Sequence, residues 1–392
     1  MLEILLLNPI ARVGLERLPD EHYRVVNKSA QPDAILVRSR DMQAMEIPSS
    51  VRAVGRAGAG TNNIPVAALS ARGVPVFNAP GANANAVKEL VVAGMLMAAR
   101  NLGRALEFVR SLVGEEDPVL ARRVEEGKKE FAGVELPGRR LGVIGLGKVG
   151  SLVADAAIKL GMEVLGHDPE ITVEAAWSLP SQVKKAHSIE EVLRASEFVT
   201  LHVPLLEATR HLIGASRLEL MRPGAVLLNF ARDEIVDAAA VVAALDSGKL
   251  KSYVTDFPAH ALAGHPGVIA LPHLGASTRE AEDNCAVMVV DQVRDYLEDG
   301  NIRNAVNFPE VAMARESPYR VAVANANVPN MLGQISGAMA NAGLNIHNMI
   351  NRSRGEMAYT LVDVDSSVGE PVIRAIASIR GVLGVRYLPR EG

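Results

Sequence analysis

Residues 139–168, RRLGVIGLGKVGSLVADAAIKLGMEVLGHD, constrain this chain more than any other stretch. An apolar run at 141–144 predicts a buried strand, and Gly145-Leu-Gly147-Lys-Val-Gly150 follows it directly. Val149, Leu152, Val153, Ala156, Ala157 and Leu160 then recur at helix spacing. Gly161 supplies a stop, and residues 163–167 predict a second strand that ends at Asp168. In this context Gly145 permits a tight turn, Gly147 lets the backbone approach a pyrophosphate, and Gly150 lets the helix pack close to the strand. The helix N-terminus offers free N–H groups and a positive dipole end to phosphates. Asp168 lies 18 residues past Gly150, about where an acid receives a ribose diol. A bare GxGxxG says little. Strand, glycines, helix, strand and acid in one unit point to a bound dinucleotide. Asp168 would repel a 2′-phosphate, and Pro169-Glu-Ile-Thr-Val173 offers no Arg to receive one, so NAD(H) is expected over NADP(H).

The rest of the chain narrows the class. Its 392 residues suffice for two or three domains. With a formal net charge of −4 and no Lys/Arg run beyond short pairs, a nucleic-acid partner is not expected. The start, MLEILLLNPIARVG, has an apolar run of four residues and an acid at position 3. It predicts a first strand rather than a signal peptide or a membrane span, so no membrane partner is expected either. A single cysteine, Cys285, excludes an intramolecular disulfide and fits a cytoplasmic protein. The nine histidines include no HExxH and no Cys/His cluster, so no metal is expected.

Residues 1 to about 98 alternate short apolar runs (4–7, 34–37, 51–55, 74–77) with helical or turn segments, which predicts a parallel α/β layer. Two loops in it stand directly after strands. Gly55-Arg56-Ala57-Gly58-Ala59-Gly60 places one Arg among exposed N–H groups, suited to a carboxylate or phosphate or else an ordinary strand-to-helix turn. Asn78-Ala-Pro80-Gly81-Ala-Asn83-Ala-Asn85 precedes a helix at 86–99 that is apolar nearly all round, so that helix should be buried, between domains or subunits. Residues 111–138 are charged and turn-rich and predict a solvated helix and loop. Further strands at 198–203, 225–230, 253–256 and 268–271 complete a second doubly wound sheet.

Three residues stand at strand ends of that second sheet: Arg232, Asp256 and His273. A guanidinium can bind a carboxylate and polarise the adjacent carbonyl, while an imidazole exchanges a proton. That combination suits hydride transfer between a dinucleotide and a 2-hydroxy or 2-oxo acid.

Taken in order, GRAGAGTNNI, FNAPGANANAVKEL, GVIGLGKVG, NFARDEIVD and LPHLGAST resemble the successive motifs of the D-2-hydroxyacid dehydrogenases, and among them the D-3-phosphoglycerate dehydrogenases. The resemblance covers nearly the whole chain. It implies NAD-dependent oxidation of 3-phospho-D-glycerate to 3-phosphohydroxypyruvate, the entry to L-serine biosynthesis. Alternatives are an unphosphorylated 2-hydroxy acid as substrate, or an NAD-sensing binding protein without turnover. By resemblance Arg232 binds and polarises substrate, and His273 is the general acid/base. Arg56, Ala57, Gly58 and Asn78 face the substrate's phosphate and carboxylate end. Gly145, Gly147, Lys148, Val149, Asp168, His202, Pro204, Thr209, Ala231, Asp256 and Gly275 hold the cofactor, with Asp256 on the nicotinamide carboxamide. The implied domains are a discontinuous substrate domain (1–98 and 279–303), an NAD domain (99–278), a linker (304–317) and a C-terminal module (318–392). A homodimer or homotetramer is expected.

One departure matters. The family orients its histidine with a Glu shortly after the Asp that ends the strand, and here no Asp or Glu occurs from 257 to 279. His260 stands roughly in that place; it, or an acid from elsewhere such as Glu234, is expected to orient His273. Beyond 318 the pattern becomes β-α-β-β-α-β, a ferredoxin-like unit. With Asn327-Val-Pro-Asn-Met331 and Gly343-Leu-Asn345, it resembles the ACT regulatory modules that pair across subunits and bind L-serine. By position, Asn325, Asn327 and Asn345 would line that effector site. The alternative is a docking or dimerisation module without a ligand.

Overall fold

Five short strands open the chain: β1 (Leu2–Leu6), β2 (Tyr23–Val26), β3 (Ala34–Val37), β4 (Ala53–Arg56) and β5 (Val76–Phe77). All pair in parallel, in the order β2-β1-β3-β4-β5. The structure is a computed structural model that describes residues 1–390, of Glu174 the main chain only. Parallel strands buried on both faces read as continuous apolar runs, and Ala34–Val37 is buried at every position. One face of this sheet is closed from the far end of the sequence. The helix Arg279–Asp299 lays Val289 and Val293 over Gly55, where a side chain would come within 2.8 Å of either valine. Each fully buried valine contributes roughly 1.5–3 kcal/mol. The first layer therefore requires the return of the chain.

Seven strands follow: β6 (Arg140–Ile144), β7 (Glu163–His167), β8 (Val183–Lys185), β9 (Phe198–Leu201), β10 (Ala225–Asn229), β11 (Leu250–Thr255) and β12 (Val268–Ala270). They form one parallel sheet in the order β12-β11-β10-β9-β6-β7-β8. The chain runs outward from β6 through β7 to β8, then returns to β9 on the other side of β6. That reversal is the switch point at which doubly wound sheets bind ligands.

The last four strands are β13 (Tyr319–Ala326), β14 (Ile346–Arg354), β15 (Met357–Val364) and β16 (Val382–Pro389). They make an antiparallel sheet in the order β14-β15-β13-β16. With the helices Met331–Asn341 and Glu370–Ala377 at its first and second crossings, this is the ferredoxin-like arrangement.

Two expectations about domain limits need correction. The described chain divides into residues 84–278 and residues 1–83 with 279 onward. The helix Ala84–Ala99 thus goes with the nucleotide unit, not with the substrate layer that was expected to run to residue 98. Its Val87, Val91, Met95 and Ala98 share one apolar cluster with Leu141, Val143 and Val254, so it is buried within a unit. Nor are residues 304–317 a free linker. Phe308, Val311 and Met313 are buried in the same cluster as the helix Arg279–Asp299 and Tyr359 and Leu361 of β15.

A fully buried ion pair inside the C-terminal module also ties that module to the chain before it. Arg320 and Asp363 have fully buried side chains. Arg320 Nε and Nη2 donate to the two oxygens of Asp363 at 2.6 and 2.8 Å. The same guanidinium donates to the carbonyls of Asp299, Met313 and Ala314. It therefore joins β13 and β15 to the end of the helix Arg279–Asp299 and to the following segment. Removing one partner strands a buried charge. Arg320→Leu should lower unfolding stability by about 3–5 kcal/mol, whereas Arg320→Leu with Asp363→Leu should recover most of the loss. Chemical denaturation of the three proteins checks this, and a double variant as weak as the single one would contradict it.

Candidate functional site

The glycine turn after β6 is built as its sequence implies. Gly145 has a φ of +92°, and a side chain there would meet the carbonyl of His202, just past β9, at 2.6 Å. A side chain at Gly150 would lie 1.9 Å from the Gly145 carbonyl. The space over Gly147 is open: nothing lies within 4 Å of where its Cβ would be. The helix Lys148–Lys159 begins there, with Lys148 exposed and Val149 half-buried at its N-terminus. The residues thus leave room for a pyrophosphate against free N–H groups. Asp168, at the end of β7, accepts the Leu146 N–H on Oδ2 at 2.8 Å and the Glu170 N–H on Oδ1 at 3.0 Å. These bonds aim the carboxylate and leave lone pairs for two hydroxyls.

Across the switch point, burial pushes the His202 imidazole down to about 3 from an ordinary 6.5. The ring is therefore neutral at pH 7, with Nε2 2.9 Å from Thr200 Oγ1. Downstream, Thr209 Oγ1 donates to the Pro204 carbonyl and accepts the Leu206 N–H, which fixes the loop after β9.

Arg232, Asp256 and His273 follow the adjacent strands β10, β11 and β12, so one rim of the sheet carries all three. Arg232 is held by its loop. Asn229, fully buried, donates to the Arg232 carbonyl at 2.8 Å and accepts the Ala231 N–H at 3.1 Å. The guanidinium itself donates only to the Ala231 carbonyl and pairs with no carboxylate among the described residues. Burial lowers its proton affinity, yet a guanidinium stays charged at neutral pH. It is a cation with donors to spare.

His273 has a φ of +58°, the left-handed region, which costs a β-substituted residue of order 1–3 kcal/mol. What holds it is Asp256, 2% exposed. The N–H groups of Leu274 and Gly275 donate to its two oxygens, each at 2.7 Å. A bond to a charged acceptor contributes about 1.5–3 kcal/mol, so two outweigh the strain. The Asp256 carboxylate, expected near a nicotinamide carboxamide, also fixes the turn that presents His273. The ring packs edge-on against Phe257, centroids 5.1 Å apart. His260 lies exposed in a single turn, His260–Leu262, and among the described residues it makes no hydrogen bond to His273. Glu234 is engaged with Arg210. Neither expected substitute for the family's Glu reaches the histidine in this structure.

The unit of residues 1–83 and 279 onward carries a second rim. Its sheet order also reverses, between β1 and β3, and the chain past those strands meets there. Asn8 Oδ1 accepts the N–H groups of Arg38, Ser39 and Arg40 at 3.0–3.1 Å. Arg56 Nε donates to the Arg38 carbonyl at 3.1 Å, and Asn78 Nδ2 to the Ala59 carbonyl at 2.5 Å. A side chain at Gly58 would collide with the Arg56 guanidinium at 2.3 Å. Ala57 is buried beneath. Arg38 and Arg40 were missed by the sequence reading. Their signal was the position of Asn8 and Arg38 at the ends of the two switch strands.

The expected effector residues do not meet within one chain. Asn325 is fully buried on β13, opposite Ala358, with Oδ1 unpartnered; Asn327 Nδ2 donates to the Gly355 carbonyl. Asn345 precedes Ile346, whose partner is Val364 at the other end of β15, roughly 20 Å away at strand rise. Among the described residues, no group of three or more His, Cys, Asp or Glu could hold a metal ion, and no helix is long and apolar enough to cross a membrane.

Residues 92–275 match the model of the D-isomer specific 2-hydroxyacid dehydrogenase NAD-binding domain. A D-3-phosphoglycerate dehydrogenase of Methanocaldococcus jannaschii is 35% identical over 79% of this chain, which spans 58% of that relative's length. One of Haemophilus influenzae is 32% identical over 88% of this chain and 83% of its own. An NAD-bound 3-phosphoglycerate dehydrogenase of Entamoeba histolytica superposes with a TM-score of 0.63 at 26% identity, over 78% of this chain and 98% of that one.

Two outcomes follow from this geometry. Asp256→Asn sets an amide N–H against a backbone donor, so kcat/KM should fall about 10²-fold through displacement of His273; an unchanged kcat/KM would contradict the positioning role. His202 is depressed in the fold, so the unfolded chain takes up its proton first as pH falls. Its stabilisation is present above about pH 6.5 and is lost progressively toward pH 3. Unfolding stability measured across that window should fall less steeply in His202→Gln than in the parent. With these rims and relatives together, the chain belongs to the D-3-phosphoglycerate dehydrogenase family of D-isomer specific 2-hydroxyacid dehydrogenases.

Proposed function

We propose that this protein oxidises 3-phospho-D-glycerate to 3-phosphohydroxypyruvate with NAD, the step that opens L-serine biosynthesis. The observation that carries the reading is the rim of β10, β11 and β12, which presents an uncompensated Arg232 and a strained, exposed His273 beside a dinucleotide turn. NAD would be held by Gly145, Gly147, Lys148, Val149 and Asp168, with His202, Pro204, Thr209, Ala231, Asp256 and Gly275 around the remainder. It supplies a hydride acceptor. Arg232 binds the carboxylate of the 2-hydroxy acid and draws electron density toward the forming carbonyl. His273 takes the hydroxyl proton as hydride leaves C2, and returns it in reduction. Neutral His202 adds no charge to compete with Arg232.

For the phosphate end, the reading assigns Arg56, Ala57, Gly58 and Asn78, joined by Arg38 and Arg40. Arg56, Arg38 and Arg40 stand at one switch point, with the Arg38 guanidinium paired to Glu282, and this concentration of cations supports a phosphorylated acid over an unphosphorylated one. A cytoplasmic setting is supported by the lone, buried Cys285. A homo-oligomer is supported by Leu102, Leu106, Val109 and Val113, which stand exposed on and beside the helix Leu102–Ser111. Buried within its own unit, the helix Ala84–Ala99 no longer argues for one. The C-terminal module is read as an ACT module. An L-serine site lined by Asn325, Asn327 and Asn345 needs two copies of the module, because one copy separates them.

Steady-state NAD reduction with 3-phosphoglycerate, D-glycerate and D-lactate tests the reading. The phosphorylated acid should be preferred in kcat/KM, and Arg56→Gln should raise its KM at least tenfold with little change in kcat. Preference for an unphosphorylated acid would move Arg56 out of the phosphate role, and NADH binding without turnover would make the protein a binding protein.

A further inference from the structure

The first layer and the C-terminal module enclose a cleft of about 370 Å³, on the side of the first sheet away from its ligand-binding rim. That volume lies in the range of small-molecule sites. One wall comes from the segments that lead into β4 and β5, with Arg52, Arg72 and Gly73; the other comes from β13, β15 and β16, with Arg386. Three of the lining residues are arginines and none is an acid.

The guanidiniums differ in how they are used. Arg52 faces Asp33 at 3.5 Å. Arg72 donates to the carbonyls of Ile47 and Pro48, and Arg386 to those of Tyr296 and Leu297 while lying over the Tyr296 ring. Among the described residues, neither Arg72 nor Arg386 is paired with a carboxylate. Each carbonyl pair occupies two of five guanidinium N–H groups and fixes the plane, leaving donors and a full charge. Neutral acceptors that orient a cation without discharging it are what an anion site requires. Gly73 has a φ of +71° beside Arg72, and a side chain there would press on Leu383 and Ala324 of the module, so the walls meet closely around the opening.

We propose that this cleft binds a phosphate group, free or carried on a small molecule, between Arg72 on the first layer and Arg386 on the module, with Arg52 at the mouth. Bidentate guanidinium contacts suit a phosphate's geometry. Because the two walls belong to different parts of the fold, the ligand clamps the module to the first layer and stabilises the folded chain by mass action. The site is separate from Arg56 and needs no turnover, so its fate does not depend on the reaction assigned above.

Calorimetric titration of the full chain with inorganic phosphate, without NAD or acid, tests this. The parent should bind phosphate and gain thermal stability. Arg72→Gln and Arg52→Gln/Arg72→Gln should each weaken that binding at least tenfold, whereas Arg56→Gln should leave it in place. Competition by glycerol phosphate would extend the ligand to organic phosphates; its absence would restrict the site to the free ion. Both arms avoid Arg386, which also caps a helix. The proposal is overturned by a parent that binds no phosphate beyond what Arg56→Gln abolishes, or by binding that Arg52→Gln/Arg72→Gln leaves unchanged.

Discussion

In both larger sheets every strand runs parallel, and this constraint decides where chemistry can occur. Parallel strands deliver their C-terminal loops to one rim, and a reversal of strand order opens that rim to a ligand. The first sheet reverses between β1 and β3, the second between β6 and β9. At the first reversal stand Asn8, Arg38 and, one strand on, Arg56. At the second stand Gly145 and His202, and one to three strands further Arg232, Asp256 and His273. Local polar bonds then finish each rim: Asn229 sets the Arg232 loop, and Asp256 sets the turn at His273.

Much of this was legible in the sequence because it rests on local rules. The turn at 145–150 declares itself by glycines whose absence would place a side chain 1.9 Å from a carbonyl. The strands β3 and β10 declare themselves as unbroken apolar runs, since both faces are covered. What escaped depended on distant partners. β2, with only Tyr23 buried, and β8, with none of its three residues buried, are edge strands with too little apolar pattern to signal themselves. Without β2 the order of the first sheet could not be seen, and with it the importance of Asn8 and Arg38.

The domain limits escaped for a related reason. Nothing in the helix Ala84–Ala99 says which apolar cluster receives it, because it is apolar on nearly every side. Residues 304–317 look like a linker until Phe308 and Val311 are seen buried. The Arg320–Asp363 pair was invisible too, since two charges 43 residues apart carry no signal of burial. The orienting group for His273 remains the clearest case of a local expectation displaced by structure. The sequence offered His260 by position, while the fold supplies Phe257 and the Asp256-held backbone instead.

In the proposed reaction a hydride passes from C2 of a D-2-hydroxy acid to NAD at the rim carrying Arg232 and His273. It is tested most directly by 3-phospho-D-glycerate deuterated at C2, with the reduced cofactor examined by NMR. The label should appear on the nicotinamide C4, and this transfer should be lost in His273→Ala. Reduced cofactor without the label, or cofactor binding with no reduction at all, would contradict it.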